Sequence, residues 1–312
     1  MSNKKDKEFQ NMTSVTDDIK DINKLNNVKM TNDSKDTKKY VILSHELKTP
    51  LAIINNHAQL IKRFCELDKI DVAKFTKYSE NIISNCNIIN KIVNNLIDIS
   101  FFDSKDIKLN YELVDINKLC NTLIEFSNQY FIDTDTDNNQ KLNINFKCEP
   151  AQNTAILFCD PFKIERIILN LISNSIKYNN KDIKNVTISI SETKKEIIIS
   201  VKDNGNGIAK KYYKSIFEPF VQIHDQNGPL NSGCGIGLSI VKFFTELHNG
   251  TIELITEVDN GSEFKIKLPK SSSCTKNSNC ILNEKQEYHF NENLIAIEFA
   301  GVFQRNMSMH LY

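Results

Sequence analysis

Glycine is scarce in this 312-residue chain, with nine present where average usage of about 7% would give roughly twenty-two. Long apolar runs are missing too. None approaches the ~18–20 residues of a membrane-spanning helix, and the first residues carry no hydrophobic signal region, so the expectation is no direct membrane span and no self-contained transmembrane receptor. Charge of either sign is not in excess: 39 Lys+Arg balance 39 Asp+Glu. That leaves no electrostatic case for nucleic acid or an acidic membrane surface. The eight cysteines contain no CxxC pair and no regular spacing. Six fall within apolar helical or strand patterns and read as reduced core thiols, which excludes a secreted disulfide scaffold and favours a cytoplasmic chain. Hydrophobic residues at 40% and charged residues at 25% make an ordinary globular balance, and the length suggests two domains plus tails.

What is there is unevenly placed. Six of the nine glycines lie between Gly205 and Gly237, so unusual backbone freedom is needed in that stretch. Residues 1–36 are polar and carry too little apolar surface to offset their ordering entropy; they are expected to be disordered. From Tyr40 the pattern changes. Tyr40, Leu43, Leu47, Leu51, Ile54, Ala58, Ile61 and Cys65 recur by threes and fours, and so do Phe75, Ile82, Cys86, Ile89, Val93 and Leu96. Two such seams joined near 66–71 predict an antiparallel α-helical hairpin over 37–104. Because two helices leave apolar surface uncovered, the hairpin is expected to pair with a second copy as a four-helix bundle, making a homodimer.

Over 105–270 the spacing alternates between helix and strand. A helix is expected at 116–130, strands at 142–148 and 155–159, and a helix from Pro161 to about Tyr178 that starts at the N-cap Asp160. A β-hairpin follows through Val186–Ile190 and Ile197–Val201, then a loop-rich region to 234 and a helix from about 235 to 248. Thr251–Val258 and Ser262–Leu268 flank Asn260-Gly261, the signal of a type I′ turn. This order describes an α+β sandwich with its helices on one face. Within 271–312, residues 271–285 read as linker, and the weak alternation from Asn293 to Phe303 predicts a short strand.

Chemistry-bearing residues fall into two groups. The first surrounds His45 in Ser44-His45-Glu46-Leu47-Lys48-Thr49-Pro50-Leu51. At 100° per residue His45 lies far around the helix from Leu47 and Leu51, and Thr49 shares its face. Glu46 can accept a ring proton and keep the other imidazole nitrogen nucleophilic. Pro50 removes a backbone donor and loosens this turn. The second group begins with Asn170 and Asn174, i and i+4 on an otherwise Ile- and Leu-rich helix, with Lys177 and Tyr178 one turn on. Their amide oxygens suit a hard cation such as Mg²⁺. Asp203-Asn204-Gly205-Asn206-Gly207-Ile208 follows a strand, where glycine lets backbone pass close to a planar ligand and Asp203 can accept from an exocyclic amine. Phe217 and Phe220 form an apolar clasp in Ile216-Phe217-Glu218-Pro219-Phe220. Gly233, Gly235 and Gly237 open a helix in the geometry that suits phosphate, and 221–232 reads as a polar lid.

SHELKTPL, the Asn170/Asn174 pair, DNGNGI, IFEPF and GCGIGLSI stand in this order over about 37–270. Together they resemble the five ordered boxes of two-component sensor histidine kinases. The resemblance implies a dimeric phosphoacceptor hairpin and an ATP-binding domain of the type shared by gyrase, Hsp90 and MutL. It implies that His45 accepts the γ-phosphoryl group of ATP with Glu46 as base, and that Thr49 orients water in a phosphatase reaction. Asn174 and Asn170 would hold Mg²⁺, Lys177 would meet phosphate, and Tyr178 the adenine or lid. Asp203, with Gly205 and Gly207, would read the adenine. Gly233, Gly235 and Gly237 would hold lid and phosphates. The expected partner is the receiver domain of a response regulator. The alternatives are an ATPase of the same fold, or a non-catalytic ATP-gated docking protein. Only some forty polar residues precede the histidine motif, without a recognisable sensor module.

Overall fold

A computed structural model describes residues 34–66, 71–102, 107–133, 143–222, 233–270 and 292–302. The chain divides into units 1–44 and 45–312; of the first, only the start of one helix is described. The expected disorder of 1–36 therefore lies almost wholly outside the described residues, although helix begins at Ser34. The same holds for the body of the lid and for the linker at 271–285.

Two long helices, α1 (Ser34–Glu66) and α2 (Val72–Ser100), form the hairpin. Asp71 caps α2 by accepting from the Lys74 amide, which satisfies one of the otherwise orphaned donors of its first turn. Between the helices, Phe64 packs against Phe75 and Tyr78, and His57 against Tyr78. The seam is only partly covered. Leu51 is 53% exposed, and Tyr40, Leu60 and Val93 are also exposed. The physical reason is that a lone hairpin has one contact face, and both helices display apolar residues around more than that face.

The second half contains β1 (Glu112–Asp115), α3 (Ile116–Asp133), β2 (Asn143–Glu149), β3 (Ile156–Cys159) and α4 (Pro161–Lys177), then β4 (Ile183–Glu192) and β5 (Glu196–Asp203). Two short 3₁₀ turns (Lys210–Tyr212 and Ser215–Phe217) lead to α5 (Gly237–Leu247), β6 (Thr251–Glu257) and β7 (Gly261–Pro269). Five strands pair in the order β2-β4-β5-β7-β6, parallel only between β2 and β4; β1 and β3 form a separate antiparallel pair. Alternation does the sorting. Val186, Ile188 and Ile190 of β4, Ile197, Ile199 and Val201 of β5, and Phe264, Ile266 and Leu268 of β7 are all buried. Register sets Ile188 beside Val201, and Ile199 beside Ile266. Helices α3, α4 and α5 cover that face, burying, among others, Leu123, Ile168 and Phe244.

Two expectations are corrected. The turn between β6 and β7 is not a two-residue type I′ turn with Asn260 and Gly261 at its centre. Glu257 pairs with Gly261, and the loop is Val258-Asp259-Asn260 with Asp259 in the left-handed region (φ 66°). Asp259 donates its amide to the Asn206 carbonyl, so a neighbouring loop chooses the turn. The expected strand at 293–303 is instead a helix, α6 (Glu292–Phe299). Ile295, Glu298, Phe299 and Val302 are buried, and that spacing is helical. Glu298 interrupts the apolar pattern, which hid it from the sequence.

Candidate functional site

Asp160 starts the helix that carries most of the site. Its carboxylate accepts from the Lys163 amide at the N-cap and from the Asn110 amide upstream. From there α4 presents one polar stripe, Arg166, Asn170, Ser173, Asn174 and Lys177, on a body otherwise packed into the sheet. Asn170 is only 2% exposed. Its Nδ2 donates to the Arg166 carbonyl at 2.8 Å, which turns Oδ1 toward Gly237. A Cβ at Gly237 would come within 2.9 Å of that oxygen and 3.8 Å of Asn174 Nδ2. Glycine is required there by close approach, and the two asparagines meet the first turn of α5.

The loop before α5 is shaped by the same need. Gly233 (φ 133°) leaves room for Lys177 Nζ, which a Cβ would approach to 2.6 Å, and Gly235 (φ 67°) lies against the Val221 carbonyl. Phe220, itself left-handed (φ 65°), donates its amide to the Gly235 carbonyl, and Gln222 donates to the Gly233 carbonyl. These bonds anchor one end of the expected lid.

One cleft gathers Glu46, Asn170, Asn174, Lys177, Tyr178 and the glycine run Gly233, Gly235 and Gly237. Cys234 also lines it, a free thiol whose burial pushes its pKa up to about 12, so it stays neutral. His45 is exposed, one residue before Glu46 on α1, and is not among the lining residues. Thr49 is exposed and donates its hydroxyl to the His45 carbonyl at 3.2 Å. Backbone N–H groups at the start of α5 and the Lys177 ammonium make the cleft favourable for anions.

Asp203, Gly205, Gly207, Phe217 and Phe220 do not line that cleft; they build its surroundings. Asp203 accepts from the amides of Gly205 (2.7 Å) and Ser262 (3.2 Å) and from the Ser175 hydroxyl (3.3 Å). Burial raises its pKa, against the pull of those donors. Gly205 passes under the Tyr178 carbonyl. Gly207 (φ 66°) presses on the Glu257 carbonyl, so its freedom serves packing against the β6–β7 turn. Phe217 meets Phe264 edge-on.

Sequence reasoning missed the far wall. Lys91, Asn95 and Asp98 of α2 face α4. Arg166 pairs with Asp98 and donates to Asn95 Oδ1 at 2.9 Å, and Lys163 lies 3.8 Å from Asp98. Their i, i+4, i+7 spacing was the available signal.

Comparison with known proteins decides the family. A model of the His Kinase A (phospho-acceptor) domain matches residues 42–105, and a model of the histidine kinase-, DNA gyrase B-, and HSP90-like ATPase matches 159–272. The sensor histidine kinase TmoS of Ectopseudomonas mendocina is 33% identical over 265 residues, covering 83% of this chain and 26% of TmoS. The chain belongs to the histidine kinase family. It spans less than half the length of the curated relatives it matches, among them ArlS of Staphylococcus aureus, 32% identical over 72% of this chain and 46% of ArlS. The same fold is seen in the Acinetobacter baumannii histidine kinase AdeS (TM-score 0.52, 23% identity, 73% of this chain and 98% of that one). It is also seen in histidine kinase ThkA, solved in complex with response regulator protein TrrA (TM-score 0.52, 20% identity, 76% of this chain and 62% of that one). As in other members, an α-helical hairpin precedes an α/β ATPase domain whose family binds ATP. Among the described residues, no helix is long and apolar enough to cross a membrane.

Proposed function

We propose that this chain phosphorylates itself on His45 with ATP and passes the phosphoryl group to an aspartate in the receiver domain of a response regulator. The observation that carries this reading is the shared cleft: Glu46 of the hairpin faces the same space as Asn170, Asn174, Lys177 and the glycines 233–237, while His45 is exposed beside it. Lys177 and the amides opening α5 hold the triphosphate. Asn174, seconded by Asn170, would supply amide oxygens to Mg²⁺; the donor set fits, since Mg²⁺ takes few protein ligands and leaves the rest to phosphate and water, and when bound it would supply charge neutralisation for the transferring group. Asp203, beside the cleft rather than in its lining, reads the adenine amine, with Gly205 and Gly207 shaping the backbone around it and Phe217 and Phe220 fixing the adjoining loops. Tyr178 covers the base.

Glu46 takes the proton from the imidazole as its nitrogen bonds to phosphorus and ADP departs. Thr49 positions water when the partner's phosphoryl group is hydrolysed. Alignment of nucleotide with His45 supplies most of the acceleration; the linker expected at 103–108 lies mostly outside the described residues. The working species is a homodimer in the cytoplasm, where ATP and reduced thiols coexist. Labelling with [γ-³²P]ATP tests the proposal. An acid-labile, base-stable label is expected, absent in His45→Gln and present at wild-type level in Cys65→Ser. Label retained in His45→Gln would sink it.

A further inference from the structure

Residues 292–302 sit at the cleft itself. Helix α6 buries Phe299 completely, between Phe131 (5.0 Å between ring centres) and Tyr130 (5.6 Å) of α3. That anchor places the neighbouring Glu298 between two helices. Its carboxylate lies 3.2 Å from Lys91 Nζ of α2 and 3.5 Å from Arg166 Nε of α4. Its carbonyl accepts from Lys91 Nζ and from the Ser173 hydroxyl (3.1 Å). The chain beyond then turns through Gly301 (φ 84°), and Ala300, Gly301 and Val302 form part of the wall that also holds Asn170, Asn174 and Lys177.

Two consequences follow. The cleft has a volume of about 160 Å³, below the roughly 300–1,000 Å³ of ordinary small-molecule pockets. The cation that α2 contributes to this cleft, Lys91, is already matched by an anion of the same chain. A buried carboxylate persists only when it is paired and hydrogen-bonded, and Glu298 is paired across the junction between hairpin and ATPase domain.

We propose that segment 292–302 is an autoinhibitory strap, which narrows the nucleotide cleft and uses Glu298 to tie Lys91 of the hairpin to Arg166 of the ATPase domain. It rests on the reading of the cleft as the ATP site. Nucleotide and strap compete, and linkage makes the competition reciprocal: nucleotide must loosen the strap by the factor by which the strap weakens nucleotide.

The test is hydrogen exchange on the full chain, with and without saturating Mg²⁺ and a non-hydrolysable ATP analogue, alongside the analogue's affinity for the full chain and for Glu298→Gln/Phe299→Ala. Amides of 294–302 are expected to exchange faster when nucleotide is bound, and the double variant to bind about tenfold tighter. Binding that leaves these amides unchanged or protects them overturns the strap and spares the ATP site. Unchanged or weaker affinity in a variant with a native melting profile overturns it too. If neither protein binds the analogue, the reading of the cleft fails and the strap falls with it.

Discussion

Asp203 is held by three donors and still has a raised pKa, because burial outweighs them. Between its unfolded value near 3.8 and its higher folded value, the native state binds more protons than the unfolded state, so stability falls as pH rises through that window. Asp203→Asn is neutral throughout and keeps an acceptor for the two amides. It is expected to melt a few degrees higher than wild type at pH 7, with the gain vanishing near pH 3, while losing nucleotide binding. Melting curves against pH, paired with a binding titration, check both halves. His248 runs the other way. Its Nδ1 donates to the Phe244 carbonyl (2.7 Å) and its Nε2 accepts from the Asp160 amide (3.1 Å), an arrangement that uses the neutral ring. Burial lowers its pKa below 6.5. Its contribution is therefore complete above about pH 6.5 and is lost as pH falls toward the folded value. His248→Gln should flatten the decline in thermal stability between pH 7 and 5; an equally steep decline would exclude this residue as its source.

At the level of elements, the loops 203–208 and 257–261 lock into each other. A Cβ on Gly207 would strike the Glu257 carbonyl, and one on Gly261 the Asp203 carbonyl. Gly207→Ala is expected to cost about 2–3 kcal/mol in urea unfolding, from positive φ and collision together, and an undiminished midpoint would contradict the lock. This interlocking also explains what was legible. The long helices announced themselves by period, and Asp160-Pro161 by capping chemistry. The β6–β7 turn did not, because Asn206 accepts from Asp259 and so overrides the local preference of Asn260-Gly261. Helix α6 was missed because Glu298 occupies a buried position, and its partners Lys91 and Arg166 are far away in sequence. For the candidate site, the glycine and asparagine motifs were readable, whereas their sorting into cleft wall and supporting loop was not.

For the whole molecule, the uncovered apolar residues of the hairpin are the main feature. Leu51, Leu60, Ile83, Val93 and Ile97 are all exposed on α1 and α2, more apolar surface than a hairpin can hide unaided. The proposed four-helix pairing with a second copy would cover it. Sedimentation should find a dimer at micromolar concentration, and Leu60→Glu should shift it to monomer with helix content retained. A wild-type monomer, or an undisturbed Leu60→Glu dimer, would refute the pairing.

The sequence by itself determined the order of parts: a helical hairpin with a histidine off its apolar seam, then a sandwich whose few glycines are concentrated between Gly205 and Gly237. Those features are local, written in periodicity, capping and backbone freedom. Tertiary structure alone decided that Glu46 shares a cleft with the asparagines, that Asp203 stays out of that cleft's lining, and that Glu298 bridges Lys91 and Arg166. Such juxtapositions join residues far apart in sequence, and a buried charge shows its purpose only when its partner is in place.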